Sequence, residues 1–215
     1  MKGTEMTFGV NSRIVRNTFS VLFGLAAMAA VVGFGFASQD AKAKRTTYKV
    51  DSVHSTIVFR INHLGVSNFY GAFPTINGQY TIDYGDLSKS EFEFTVLTQD
   101  IDTFNSQRDN HLKSTDFFNA REYTEITFKS TKVEESGDNN LKVTGDLNMH
   151  GQTHSITVKV KLFEVKELGP RFGTRSGLDG RTTIKRSKWG MDTYVEQGTL
   201  GDDVELMIGV EGQKQ

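Results

Sequence analysis

The chain has 215 residues, a formal net charge of −1 at pH 7 and no cysteine. This length is sufficient for a domain with its own hydrophobic core. The missing cysteines exclude disulfide cross-links and a cysteine-linked lipid anchor. The balanced charge, without a run of Lys and Arg, argues against a nucleic-acid partner.

Residues 1–43 are predicted to form a secretory signal peptide. Three basic residues precede an uncharged run over 19–37, and small residues that suit cleavage follow near 37–43. An uncleaved membrane anchor is the alternative, because roughly 20 apolar residues span a bilayer. The signal peptide predicts a periplasmic or secreted protein whose mature part is 44–215.

The mature part consists largely of short runs in which apolar and polar side chains alternate, as is typical of half-buried strands. Eight or nine strands are predicted, over Thr46–Asp51, His54–His63, Ala72–Asp83, Glu91–Gln99, Thr124–Glu134, Leu141–Met149, His154–Phe163, Gly177–Arg186 and Asp202–Glu211. Turn-forming residues between the runs favour antiparallel neighbours. The fold class is therefore all-β. It is either a sandwich or a closed eight-stranded barrel, and periodicity alone favours the barrel only slightly.

Residues Thr103–Asp116 lack this alternation. Arg108, His111 and Leu112 lie at roughly helical spacing, and Thr103 is a plausible N-cap. We therefore predict a short lid helix that covers an open end of the barrel.

Several motifs carry a resemblance to a known family. In chain order they are D-x-x-H-S from Asp51, F-x-I-x-H-x-G from Phe59, G-x-F from Gly71, R-D-x-H-L-K-S-x-D-F-F from Arg108, V-x-G-x-L from Val143, G-x-T from Gly151 and R-S-K-W-G-M from Arg186. The ordered set resembles the YceI family of exported, polyisoprenoid-binding, lipocalin-like proteins, over Thr47 to Val210. The resemblance implies an extended eight-stranded antiparallel barrel. Its apolar pore would hold an isoprenoid chain, such as that of a polyprenyl phosphate or a quinone.

The candidate binding residues start from the strand at His54–His63, where an apolar column ends in a histidine. Side chains of the strands and the lid extend the set. The pore-lining and mouth candidates are Ile57, Phe59, Ile61, His63, Phe69, Phe73, Phe92, Phe94, Arg108, His111, Phe117, Phe118 and Trp189. His63 is either a polar contact at the pore mouth or a core histidine bonded to the backbone.

We interpret the protein as a non-enzymatic carrier of an isoprenoid or another long-chain lipid, with no cofactor. Transient membrane contact and homo-oligomers are both compatible with this interpretation. The alternative is a lipid-modifying enzyme in the same barrel, with Arg108, Asp109, His111 and His63 as polar participants. The chain contains no nucleophile elbow and no glycine-rich phosphate loop.

A third reading is a metal-binding stress protein that uses His150 and His154, which are four residues apart. A turn separates the two histidines, so structural or surface roles are favoured over a zinc site. Arg181, Lys185 and Arg186 could attract a pyrophosphate, but a solvated outer face is the expected explanation.

Overall fold

The computed structural model describes residues 45–215, so the predicted signal peptide and its cleavage site lie outside the described residues. The strands are β1 Arg45–Val50, β2 Thr56–His63, β3 Ser67–Phe73, β4 Asn77–Asp83, β5 Glu91–Leu97, β6 Glu125–Glu135, β7 Asn140–Met149, β8 Gln152–Leu162, β9 Lys166–Glu167, β10 Thr174–Lys185 and β11 Leu200–Lys214. The helices are α1 Ser106–Leu112 and α2 Gly169–Phe172. Within residues 45–215, neither helix has the length and apolar character needed to cross a membrane.

Eight strands form a closed antiparallel ring in the order β1, β4, β5, β6, β7, β8, β10 and β11. The last strand closes the ring because β11 pairs with β10 along one edge and with β1 along the other. The predicted eight-stranded barrel is therefore confirmed, and the sandwich is excluded.

Strand β11 shares its second edge between two partners. Residues Leu200–Gly209 pair with β2, and Gly212–Lys214 pair with β1. The β2–β3 hairpin thereby extends the barrel wall beyond the ring. Because β2 and β11 run antiparallel, the end of β2 lies beside the start of β11.

The barrel end where β2 begins is held by a polar cluster. Asp51 Oδ2 accepts hydrogen bonds from Arg175 Nη1 at 2.7 Å and from His54 Nδ1 at 3.1 Å. The Ser55 hydroxyl accepts from the Glu211 backbone N–H at 3.0 Å, and Arg175 Nη1 lies 3.2 Å from Glu211 Oε1. The D-x-x-H-S motif that starts at Asp51 therefore connects the β1–β2 turn to β10 and β11.

Stacked aromatic rings fill the barrel interior close to this cluster. The ring centroids of Tyr48 and Tyr80 are 5.2 Å apart, and those of Tyr80 and Phe92 are 6.2 Å apart. Gly212 makes room for the stack, since a Cβ there would lie 2.6 Å from Tyr80 Oη. Burial raises the pKa of Tyr80 to about 12. This end of the barrel is therefore plugged.

The region between residues 67 and 83 differs from the sequence prediction. The sequence prediction does not include strand β3 as a separate strand. The single strand predicted over Ala72–Asp83 covers parts of two strands, which are separated at Pro74–Ile76. Proline cannot donate to a strand ladder, and its neighbours leave the sheet here.

Helix α1 is shorter than predicted, and the predicted N-cap is wrong. The cap is Asn105, whose Oδ1 accepts a hydrogen bond from the Arg108 N–H at 3.0 Å. Thr103 is instead fully buried, and its backbone N–H donates to Asp109 Oδ1 at 2.9 Å. The Thr103 hydroxyl serves tertiary contacts rather than the helix start.

Candidate functional site

The barrel encloses a cavity of about 540 Å³, within the usual range of roughly 300–1,000 Å³ for small-molecule sites. The lining is mostly aliphatic and aromatic, because each strand directs alternate side chains inwards. Twelve of the thirteen predicted pore and mouth side chains line it, namely Ile57, Phe59, Ile61, His63, Phe69, Phe73, Phe92, Phe94, Arg108, His111, Phe117 and Phe118. Binding of a ligand by these residues stays a prediction.

Trp189 does not line the cavity, which corrects its assignment as a pore residue. Its side chain is 1% exposed, and its indole Nε1 donates to the Leu147 carbonyl at 3.2 Å. It packs in a second apolar cluster with Met149 and Met191, and the His154 ring meets it edge-on at 5.1 Å. The turn after β10 ends the strand alternation, so the tryptophan stabilises the barrel wall instead of facing the pore.

The polar side chains that line the cavity gather at the end opposite the polar cluster. His63 and Leu200 are paired across β2 and β11. His63 is exposed and lines the cavity. The interpretation of His63 as a bonded core histidine is therefore wrong. It lies at the mouth, as the other interpretation predicted.

Helix α1 carries Arg108 to the mouth. Arg108 Nε donates to the Thr103 hydroxyl at 2.9 Å, Nη2 donates to the Thr103 carbonyl at 2.6 Å, and the guanidinium lies 4.2 Å from the Phe69 ring centroid. The same Thr103 hydroxyl donates to Asp109, which does not line the cavity. These bonds attach α1 to the loop before it. The arrangement therefore disfavours Asp109 as an acid–base group facing a substrate.

His111 also lies at the mouth, but it is paired. Its Nε2 is 2.9 Å from Asp116 Oδ2, and its ring meets Phe117 edge-on at 5.1 Å. The Asp116 carbonyl accepts from the Thr193 hydroxyl at 2.6 Å, which links α1 to the segment between β10 and β11. The mouth is thus a hydrogen-bonded rim rather than a set of free loops.

Arg186 is a second residue that the sequence interpretation placed wrongly. Its side chain is 4% exposed and lines the cavity, although a solvated outer face was expected. The guanidinium donates to the carbonyls of Gly201, Met191, Thr193 and Leu200, at 2.8, 2.6, 2.8 and 3.2 Å. Burial lowers the pKa of Arg186, yet an arginine stays charged in proteins. The segment over 191–201 therefore surrounds a buried cation.

The alternation of β10 contains the signal that would have located Arg186. Leu178, Thr182 and Ile184 line the cavity, and Arg186 continues the same even-numbered face. Arg181 and Lys185 belong to the other face and are exposed, as expected. The interpretation is thus correct for these two cations and wrong for Arg186.

The histidines of the metal hypothesis have other contacts. His150 Nδ1 lies 2.9 Å from the Trp189 carbonyl, and His154 packs against the indole. In the part of the chain that the structure describes, the convergent group that could hold an ion is Asp51, His54 and Glu211. Arg175 already occupies the position of a cation there. The geometry therefore gives the His150–His154 hypothesis no support.

Most of the described chain matches a known protein family. Residues 48–212 match the YceI-like domain. The chain belongs to the YceI family. It is 35% identical over 190 residues to Protein YceI of Escherichia coli, covering 86% of this chain and 97% of that protein. The resemblance stated from the motifs is confirmed.

Solved structures of other proteins have a similar fold. BcnA of Burkholderia cenocepacia superposes with a TM-score of 0.69 at 22% identity, over 75% of this chain and 98% of that chain. A polyisoprenoid binding domain from Saccharophagus degradans, described as implicated in plant cell wall breakdown, gives 0.62 at 13% identity, over 78% and 98%. At these identities the two likenesses show the YceI-like fold.

Proposed function

We propose that this protein binds one long-chain amphiphile, a polyisoprenoid or a similar lipid, inside the barrel. The observation that carries the proposal is an apolar cavity, plugged at one end, whose polar residues gather at the other end. This shape suits a molecule with a long hydrocarbon chain and one polar head. The chain would occupy the interior, and the head would lie at the rim near His63 and Arg108.

The energetics favour the hydrocarbon chain of the ligand as the main source of binding affinity. Each buried methylene contributes about 0.8 kcal/mol, so a five-carbon isoprene unit contributes up to roughly 4 kcal/mol. A micromolar complex requires about 8 kcal/mol. Two or three units therefore reach that value before the cost of association is subtracted. A single charge-assisted hydrogen bond adds only about 1.5–3 kcal/mol and serves selectivity.

Binding without catalysis is the simpler use of this cavity. The polar residues of the enzyme hypothesis make structural contacts, since Arg108 and Asp109 share Thr103 and His111 pairs with Asp116. The Saccharophagus domain named for polyisoprenoid binding has the same fold, which supports the proposal. With the predicted signal peptide, the protein would carry or store its lipid outside the cytoplasm, or protect cells under stress.

Organic extraction of protein purified from its own host, followed by mass spectrometry, tests the proposal most directly. We expect one class of long-chain amphiphile in near-stoichiometric amount. The control is the same protein unfolded in denaturant, washed and refolded, which should start empty and take up added isoprenoid. Absence of an amphiphile from the native protein, together with no uptake by the refolded protein, would refute the binding role. Fractionation of host cells tests the location separately.

A further inference from the structure

The seam between β8 and β10 is hydrogen-bonded along only part of its length. In the described chain, the two strands pair over Lys159–Leu162 and Leu178–Arg181, in the half nearer the plugged end. Towards the mouth, Gln152–Val158 of β8 and Thr182–Lys185 of β10 are not paired with each other, although each pairs with its other neighbour. The two strands therefore separate before they reach the rim and leave a gap in the backbone wall.

Side chains, rather than a strand ladder, close this gap. Trp189 follows β10, and its indole Nε1 donates to the Leu147 carbonyl of β7 at 3.2 Å. His150 Nδ1 lies 2.9 Å from the Trp189 carbonyl, and Thr182 Oγ1 donates to the Thr157 carbonyl at 2.9 Å. These hydrogen bonds connect the β7–β8 hairpin to the β10 side of the gap.

The cavity wall on both sides of the gap is apolar. Ile156 of β8 and Ile184 of β10 line the cavity, and both belong to the apolar cluster of Trp189. Ile156 is only partly buried although it points inwards, as expected where the neighbouring strand has separated. A hydrocarbon chain that passes Trp189 therefore meets apolar side chains directly.

The mouth, in contrast, is fastened by polar contacts. The Thr193 hydroxyl donates to the Asp116 carbonyl at 2.6 Å, which joins the two sides of the rim. Arg186 holds the segment over 191–201 through its carbonyls. A hydrocarbon chain that enters end-first there also passes the charged Arg108, which lines the cavity. Opening of the β8–β10 gap breaks single hydrogen bonds, each of modest net strength, and no strand ladder.

We propose that the lipid enters and leaves sideways, through the gap between β8 and β10, and that Trp189 is the movable closure of this gap. The inference rests on the proposed lipid-binding function and adds a route to it. The β7–β8 hairpin moves away from the indole, and the hydrocarbon chain enters along its length. The polar head stays at the rim, where the gap ends. Such opening steps commonly set the rates at which proteins take up and release their ligands.

Engineered cysteines test the route, because the chain contains none of its own. Ser155 and Lys185 continue the register of the β8–β10 pair Lys159–Arg181, and both are exposed. A short bismaleimide bridge between Ser155→Cys and Lys185→Cys locks the gap. The matched control bridges Ser155→Cys to Asp146→Cys, across two strands that are already paired. Stopped-flow fluorescence follows the loading of delipidated protein with cis-parinaric acid, a fluorescent fatty acid, before and after bridging.

We expect the bridge across the gap to slow loading and release at least about tenfold, because it raises the barrier to opening, and to change the dissociation constant little. The control bridge should leave both rates unchanged. Equally fast loading with the gap bridged, or equal slowing by both bridges, overturns the lateral route while the binding function stands. No uptake of the probe by the unbridged protein overturns both.

A second variant pair tests Trp189 as the closure. Trp189→Phe removes the hydrogen bond to Leu147 and keeps an aromatic ring, so loading and release should both become several-fold faster at a similar dissociation constant. Ser55→Ala is the control, because it removes a buried hydrogen bond at the plugged end. It should lower stability without changing either rate. Unchanged rates in Trp189→Phe would overturn the assignment of Trp189 as the closure.

Discussion

Replacement of Asp51 by asparagine tests whether the D-x-x-H-S motif stabilises the plugged end of the barrel. Asp51 accepts hydrogen bonds from His54 and Arg175, and its side chain is 18% exposed. These contacts lower the pKa of Asp51 from its ordinary value of 3.8 to about 2, with the bond from His54 the largest cause and that from Arg175 the next.

The size and sign of the effect follow from proton linkage. A carboxyl whose pKa falls from 3.8 to about 2 on folding contributes about 2.4 kcal/mol to the free energy of unfolding at neutral pH. We expect about 1–2 kcal/mol, because solvent screens a partly exposed pair. The contribution is complete above pH 3.8. It is lost as the pH falls towards 2, where the folded state also binds the proton.

Equilibrium urea unfolding at pH 5.0 and pH 2.5, followed by the fluorescence of the single tryptophan, measures this contribution. Asp51→Asn should be less stable than the unmodified protein by about 1–2 kcal/mol at pH 5.0, and the difference should shrink at pH 2.5. Asp138→Asn, at an exposed turn, is the matched control and should show no difference at either pH. A difference of the same size at both pH values would refute the charge argument, and no difference at pH 5.0 would refute the structural role.

Three further predictions concern the cavity and its rim. Thr103→Val should lower the free energy of unfolding by about 1–3 kcal/mol, because the half-buried Asp109 loses the hydroxyl donor and Arg108 loses an acceptor. Hydrogen exchange should report faster local opening of the lid; unchanged exchange would contradict this. Gly71→Ala should lower the free energy of unfolding by about 1–3 kcal/mol, because the new Cβ would lie 2.3 Å from Phe59 Cζ and force that ring to move. Thermal unfolding measures this effect, and Gly209→Ala is the control because a Cβ there has no neighbour within 4 Å. In a series of linear fatty acids, each added methylene should lower the dissociation constant about fourfold until the cavity is full; an affinity independent of chain length excludes the apolar interior as the binding site.

Strand alternation predicted most of the barrel because one face of nearly every strand is buried. In β7 the residues Leu141, Val143 and Leu147 point inwards, as their period-2 spacing indicates. Strand β3 escaped detection because its outer face carries Tyr70 and Ala72, which remove the polar half of the pattern. Where the outer face is not polar, alternation no longer separates strand from loop.

The rim was less predictable, because its polar residues could satisfy one another in several ways. Thr103 and Asn105 are both good N-caps, and the choice depends on whether the threonine hydroxyl is needed by Asp109. Trp189 follows the end of a strand, where alternation no longer gives direction. Arg186 continues the alternation of β10, but a buried arginine is too rare to expect without its carbonyl partners.

The shared edge of β11 has a consequence for the order in which the barrel folds. Strands β1, β2 and β10 all complete their pairing on Leu200–Lys214, which lies far from β1 and β2 in the sequence. Contacts of such long separation form slowly, because loop-closure entropy must be overcome first. We therefore expect ring closure to be a late step. Until the ring closes, β1, β2 and β10 each carry an unpaired edge, and such edges favour aggregation.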